Sequence, residues 1–137
     1  MTRRALLALL LATAAALPAC SRDAPVPSSS DPTGKDLVKG AVVAAAESNG
    51  GIRLYKIIHV DDYPEPAGPE YHMIAYDPKT QTFQEAANLW KHRRGDVKVA
   101  LDHIFVRMVN FIKRDHRVLT VESVSDEELA PYQKSRR

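Results

Sequence analysis

His59, Asp61, Asp62 and His72 bring two imidazoles and two carboxylates to the end of an alternating apolar run and to the far side of the proline-rich stretch that succeeds it. Such donors hold borderline divalent ions, so a metal site is the chemistry these residues could support. Their spacing does not enforce it, because no His-Glu-x-x-His motif or similar close pair sets two ligands on one face. Asp61-Asp62 at the mouth of a Pro-rich loop is also what an ordinary turn requires. The sequence therefore assigns no metal, and the four residues stay candidates whose convergence the fold must decide.

Asp102-His103 and Asp115-His116 have the composition of acid-base pairs, since an imidazole oriented by a carboxylate is the usual proton shuttle. Neighbours on a strand, however, point to opposite faces, which argues against direct pairing. Ser48, Ser123 and Ser125 lie outside any Gly-x-Ser-x-Gly elbow. No catalytic residue is assigned, and no motif implies a cofactor. Lys91, His92, Arg93 and Arg94 close an expected helix, where cations meet the negative end of its macrodipole; their functional reading is contact with anionic lipid heads or wall polymer. Tyr55, Tyr63, Tyr71, Tyr76 and Trp90 carry most of the aromatic area. Core filling is expected of Trp90 and Tyr55, and exposure of Tyr63.

At the other end of the chain, Arg3 and Arg4 precede an apolar run from Ala5 to Leu17, which leads into Leu17-Pro18-Ala19-Cys20. This is the layout of an export signal. The run has 13 residues, short of the roughly 20 that span a bilayer as a helix. Leu17, Ala19 and Cys20 resemble the lipobox of bacterial lipoproteins, with Pro18 departing from the usual small residue. The resemblance covers residues 1–20. It implies cleavage before Cys20, lipid on its thiol, and anchoring to a membrane; Ser21 in place of an Asp after the cysteine favours the outer membrane where the organism has one. Cys20 is the only cysteine, so no intrachain disulfide can form.

Processing also changes the charge. Removing Arg3 and Arg4 from 19 Lys plus Arg leaves 17, equal to the 17 Asp plus Glu. That balance excludes the excess positive charge on which strong nucleic-acid binding rests.

The elements that must position these residues are set by pattern. Residues 20–35, the modified cysteine and a stretch rich in Ser and Pro, read as a flexible tether; 36–133 form one small domain, and 134–137 a basic tail. Ser48-Asn49-Gly50-Gly51 predicts a hairpin joining Ala41–Glu47 to Ile52–Val60. In the second strand Ile52, Leu54, Ile58 and Val60 share one face, with Lys56 the exception, while Tyr55, Ile57 and His59 share the other. The first strand could instead be helical, given its alanines. After the loop from Asp61 to Pro69, Tyr71–Tyr76 reads as a third strand. Thr82-x-x-Glu85 has capping-box spacing ahead of a helix from Phe83 to about Arg93. Residues 97–112 fit either a helical stripe or a strand, with His103–Val109 preferred as strand. Arg117–Val124 is a further strand. Ser125-x-x-Glu128 is another capping box, and Pro131 is expected to limit the helix it starts to about one turn.

The fold class is therefore α+β, mainly β: a small, strongly bent antiparallel sheet or an open barrel with one inserted helix. Gly40-Ala-Val-Val together with Tyr55-Lys-Ile-Ile-x-Val resembles small SH3-like or Tudor-like barrels, a likeness that bears on architecture alone. The functional expectation is a lipid-anchored envelope module, non-enzymatic, that meets the membrane through its lipid and binds an envelope protein or cell-wall polymer. The alternative is a small envelope hydrolase, with or without metal assistance, using His59, Asp61 and His72 or the Asp-His pairs.

Overall fold

Gly50 and Gly51 take φ of 93° and 82°, a region closed to most side chains. They let β1 (Ala41–Ala46) fold back on β2 (Ile52–Asp61), with Ala46 opposite Ile52. A computed structural model describes residues 25–137; the expected export signal, Cys20 and the start of the tether lie outside them. β3 (Glu70–Asp77) pairs with β2, β4 (Lys98–Arg107) with β3, and β5 (His116–Val121) with β1. The result is an open five-stranded antiparallel sheet in the order β4-β3-β2-β1-β5, mainly β as expected. Among the described residues three α-helices join it: α1 (Phe83–His92), α2 (Met108–Phe111) and α3 (Asp126–Ser135). No helix among the described residues is long and apolar enough to cross a membrane.

Each sheet face carries its own core. On one, Leu54, Ile58, Ile74 and Tyr76 meet Leu89 and Trp90 of α1 and Tyr132 of α3. On the other, Tyr55, Ile57, Tyr71 and Met73 meet Phe111 of α2 and Leu37. Full burial of one such side chain is worth about 1.5–3 kcal/mol, so a two-sided sheet compensates for the small size of the domain. At Gly40, with φ of 90°, a Cβ would lie 2.1 Å from the Glu122 carbonyl oxygen; only glycine lets the backbone approach so closely there, its carbonyl accepting from the Glu122 amide while its own amide donates to the Ile57 carbonyl.

Residues 97–112 divide between both expectations, β4 first and then the single helical turn of α2. Val99, Leu101 and Phe105 on this edge strand are exposed, and two irregularities break its pairing with β3, a common way of blunting an edge. Both capping boxes form, Thr82 with Glu85 and Ser125 with Glu128. Upstream, Ser28 and Ser30 of the Ser/Pro-rich stretch hydrogen-bond to Arg117 and to Asp115 and the His116 amide, and buried Gly34 lies against Met108 and Ile112.

Two expectations are corrected. Pro131 does not stop α3 after one turn; the helix runs ten residues through it. The missing amide costs one intrahelical bond, to the carbonyl of Glu127, a solvent-exposed residue. Against that loss stand the cap, the Lys56–Glu128 ion pair at 2.8 Å and buried Tyr132. The second correction concerns β2. Between Ile57 and His59 its register with β3 shifts by one residue, a β-bulge that reverses the facing of the residues beyond it. Val60 therefore packs with the Tyr55 and Ile57 core, while His59 turns toward α3 and lies against Tyr132.

Candidate functional site

The bulge puts His59 on the α3 side of the sheet, where the β2–β3 hairpin closes at Asp61 opposite Glu70 and sets His59 directly opposite His72. Strand β4 adds His103 from the far side of β3, and α3 covers the group with Tyr132 and Arg136, the residue that ends it. Three imidazoles, two carboxylates, a phenol and a guanidinium thus share one place.

Asp61 is its hub. Its Oδ2 lies 2.9 Å from Nε2 of His72, and its Oδ1 3.2 Å from Nε2 of His59. Arg136 Nη1 donates to both oxygens at 3.0 and 2.9 Å, and the Tyr132 hydroxyl approaches them at 3.3 and 3.4 Å. Partial burial works against the carboxylate, but the His72 hydrogen bond and the charges of Arg136, His72 and His59 outweigh it and hold its pKa below the ordinary value.

His72 is the second hub, and it is buried. Beyond Asp61, its Nε2 lies 3.6 Å from Oε1 of Glu70, and its Nδ1 lies 2.9 Å from Nε2 of His103. The His72 and His103 ring centroids are 5.1 Å apart and their planes differ by 18°. With the nitrogens so close, the rings meet edge to edge, as a hydrogen bond between them requires. Burial first, then the neighbouring His72, lowers the pKa of His103, with Asp102 acting in the opposite sense. Which of the two rings donates across this contact depends on their tautomers. Asp61, His72 and His103 form a chain along which a proton, or a cation in its place, can be held.

The group opens into a cleft of about 590 Å³ lined also by Tyr63 and Phe105, residues 47% and 67% exposed. Tyr63 is thus the exposed tyrosine, while Tyr55 and Trp90 fill core. One ligand atom each from Asp61, Glu70 and His72 lies within 4.8 Å of the others, the set best placed to hold a metal.

Of the four sequence candidates, His59, Asp61 and His72 come together. Asp62 is exposed and lies outside that three-residue set. The two Asp-His pairs part company. His103 enters the site, whereas His116 is fully buried beside Phe111 with its Nδ1 2.9 Å from the Arg114 carbonyl, a core position. Lys91, His92, Arg93 and Arg94 are exposed. Arg93 pairs with Asp96 at 2.9 Å, and Arg94 lies 3.1 Å over the Trp90 ring and 3.4 Å from Glu122. Glu70, Tyr132 and Arg136 are site residues that motif reading missed, and His103 stood out only as a partner for Asp102, not for His72. Counting back from a hairpin closed at Asp61 and Glu70 would have found Glu70 opposite Asp61 and His72 opposite His59. No local pattern could have set His103 beside His72, since that depends on β4 lying next to β3. Compared with models of protein families, with curated proteins and with solved structures, the chain matches none.

Proposed function

We propose that this chain is an exported lipoprotein anchored in the cell envelope through lipid on Cys20, and that its domain is a non-enzymatic binding module whose ligand enters the cleft between β4 and α3. The observation that carries the binding reading is the convergence of Asp61, Glu70, His72 and His103 in an open cleft with an aromatic rim, with His59 behind them against Asp61. Polar groups are costly to withdraw from water, and a fold that gathers so many under one helix has a use for them beyond packing. The anchoring reading is supported by the signal-like residues 1–20 and by the lone cysteine at their end. Ser21 favours an outer membrane where there is one, and an envelope protein or wall polymer is the partner class within reach.

Intact mass of the mature protein, with its partitioning into detergent, tests the anchor: a diacylglyceryl adduct on Cys20 and recovery in the detergent phase are expected, and an unmodified water-soluble product overturns it. Pull-down from solubilised envelope with the parent chain and with His72→Ala tests the module. A partner captured by the first and lost by the second is expected; background alone in both overturns it.

A second reading, metal-assisted hydrolysis, is favoured by the meeting of His59, Asp61 and His72. Turnover of wall fragments or esters that disappears in His72→Ala would support it, and parent protein no faster than the blank would end it for those substrates.

A further inference from the structure

We propose that Asp61, Glu70 and His72 form a three-ligand site for a divalent transition-metal ion, with zinc as the type case, and that Arg136 is the cation the metal displaces. The proposal rests on the cleft being the binding site and names what binds there.

Spacing is the first argument. His72 Nε2 lies 2.9 Å from Asp61 Oδ2 and 3.6 Å from Glu70 Oε1. Ligands at the usual zinc–nitrogen and zinc–oxygen lengths of about 2.1 Å stand roughly 3.4 Å apart around a tetrahedral ion. Those two separations bracket that value, and all three ligand atoms lie within 4.8 Å of one another, close enough for side-chain adjustment to let them share one ion. Donor chemistry is the second: one imidazole and two carboxylates, with no thiolate among them, suit zinc, cobalt or manganese rather than copper(I). The third is the support behind the ligand. Nδ1 of His72 is tied to Nε2 of His103, the outer hydrogen bond that orients a metal-bound imidazole. A fourth position would open into the cleft, where a water or a partner's side chain completes the sphere.

Arg136 explains how the group holds together without a metal. Two carboxylates beside one imidazole nitrogen need positive charge among them, and the guanidinium supplies it to Asp61 from the end of α3. The Arg136 side chain is 56% exposed, so it can return to water when a more concentrated charge arrives. Tyr132 already faces the Asp61 oxygens and would keep its hydrogen bond to the ligating carboxylate.

The test uses the full chain in detergent, stripped with a chelator and titrated with zinc against a chromophoric competitor and with cobalt by visible absorption. One equivalent of each is expected to bind. The cobalt spectrum should lack the intense near-ultraviolet band of a thiolate ligand, which separates this site from Cys20. Asp61→Asn and His72→Ala should abolish binding, and His103→Ala should weaken it about 10–100-fold. Arg136→Ala should tighten it several-fold, because the competing cation is gone; this exposed substitution tests the idea even if His72→Ala fails to fold. Absence of zinc binding in the parent, binding that survives Asp61→Asn, or weaker binding in Arg136→Ala overturns the site. A partner still captured by metal-free protein would then leave the binding-module reading standing, whereas loss of capture as well would remove both.

Discussion

One face of the sheet seats two helices on opposite kinds of ground. α1 buries Ala86, Leu89 and Trp90, with Trp90 edge-on to Tyr76 at 5.2 Å. α3 buries Tyr132 alone, and that ring lies among His59, His72 and His103 at 4.4, 4.5 and 5.9 Å. Both helices begin with the same capping box, so their starts do not distinguish them. The ground beneath them does. The α1 seat gains from removing apolar surface from water. The α3 seat must offset the desolvation of imidazoles and carboxylates with hydrogen bonds and ion pairs, a balance that yields little net stability. One half of the face secures the fold, and the other is the half to which the proposed binding belongs.

The comparison breaks first at Trp90. Trp90→Ala removes the largest side chain of the α1 seat together with its hydrogen bond to Glu122, and should cost about 3–5 kcal/mol in urea unfolding. A loss below about 1 kcal/mol would erase the contrast between the two seats.

Lys56 comes next. Its chain is 4% exposed and its ammonium bonds Glu128 at 2.8 and 3.0 Å and the Ser123 carbonyl at 2.8 Å. Lys56→Ala should cost about 2–3 kcal/mol, somewhat less than a wholly buried pair because water reaches Glu128. Desolvation disfavours the Glu128 carboxylate, but the hydrogen bonds from Lys56 and Ser125 and the Lys56 charge prevail and lower its pKa. Unfolding releases those bonds, so the unfolded chain binds this proton more readily. The contribution is complete above the ordinary glutamate value of 4.5 and is lost as pH falls through the lower folded value. Acid should therefore loosen α3 before α1, which circular dichroism with near-ultraviolet tyrosine and tryptophan signals would track.

The smallest effect is expected where the polar seat loses its centre. His72→Phe replaces a hydrogen-bonded ring with an apolar one of similar shape; Asp61 keeps Arg136 and His59 while His103 loses its partner, and stability should fall by about 1–2 kcal/mol. A loss comparable to that of Trp90→Ala would mean that the imidazoles hold the fold rather than serve a ligand.

Much of the frame was legible in the sequence, because it depends on local chemistry. Gly50 and Gly51 marked the hairpin, Thr82 and Ser125 marked the starts of α1 and α3, and alternating apolar residues marked β2, while β1 stayed open to helix and residues 97–112 to either state. The site was half legible. His59, Asp61 and His72 stood out by residue type, but alternation placed His59 on the wrong face, since a single extra residue in β2 changes the parity and leaves no mark in composition. Tyr132 and Arg136 were hidden behind Pro131, whose helix-breaking tendency is overruled here by tertiary contacts with Lys56 and the histidines. Sheet order, which brings His103 beside His72, is a long-range choice that no window of sequence contains.

Amide hydrogen exchange along α1 and α3 in one sample tests the division of the sheet face most directly. The amides of α3 should exchange through a local opening that leaves α1 protected, so that urea well below the unfolding midpoint affects the two helices differently. Equal protection in both helices, rising and falling together with global stability, would contradict it.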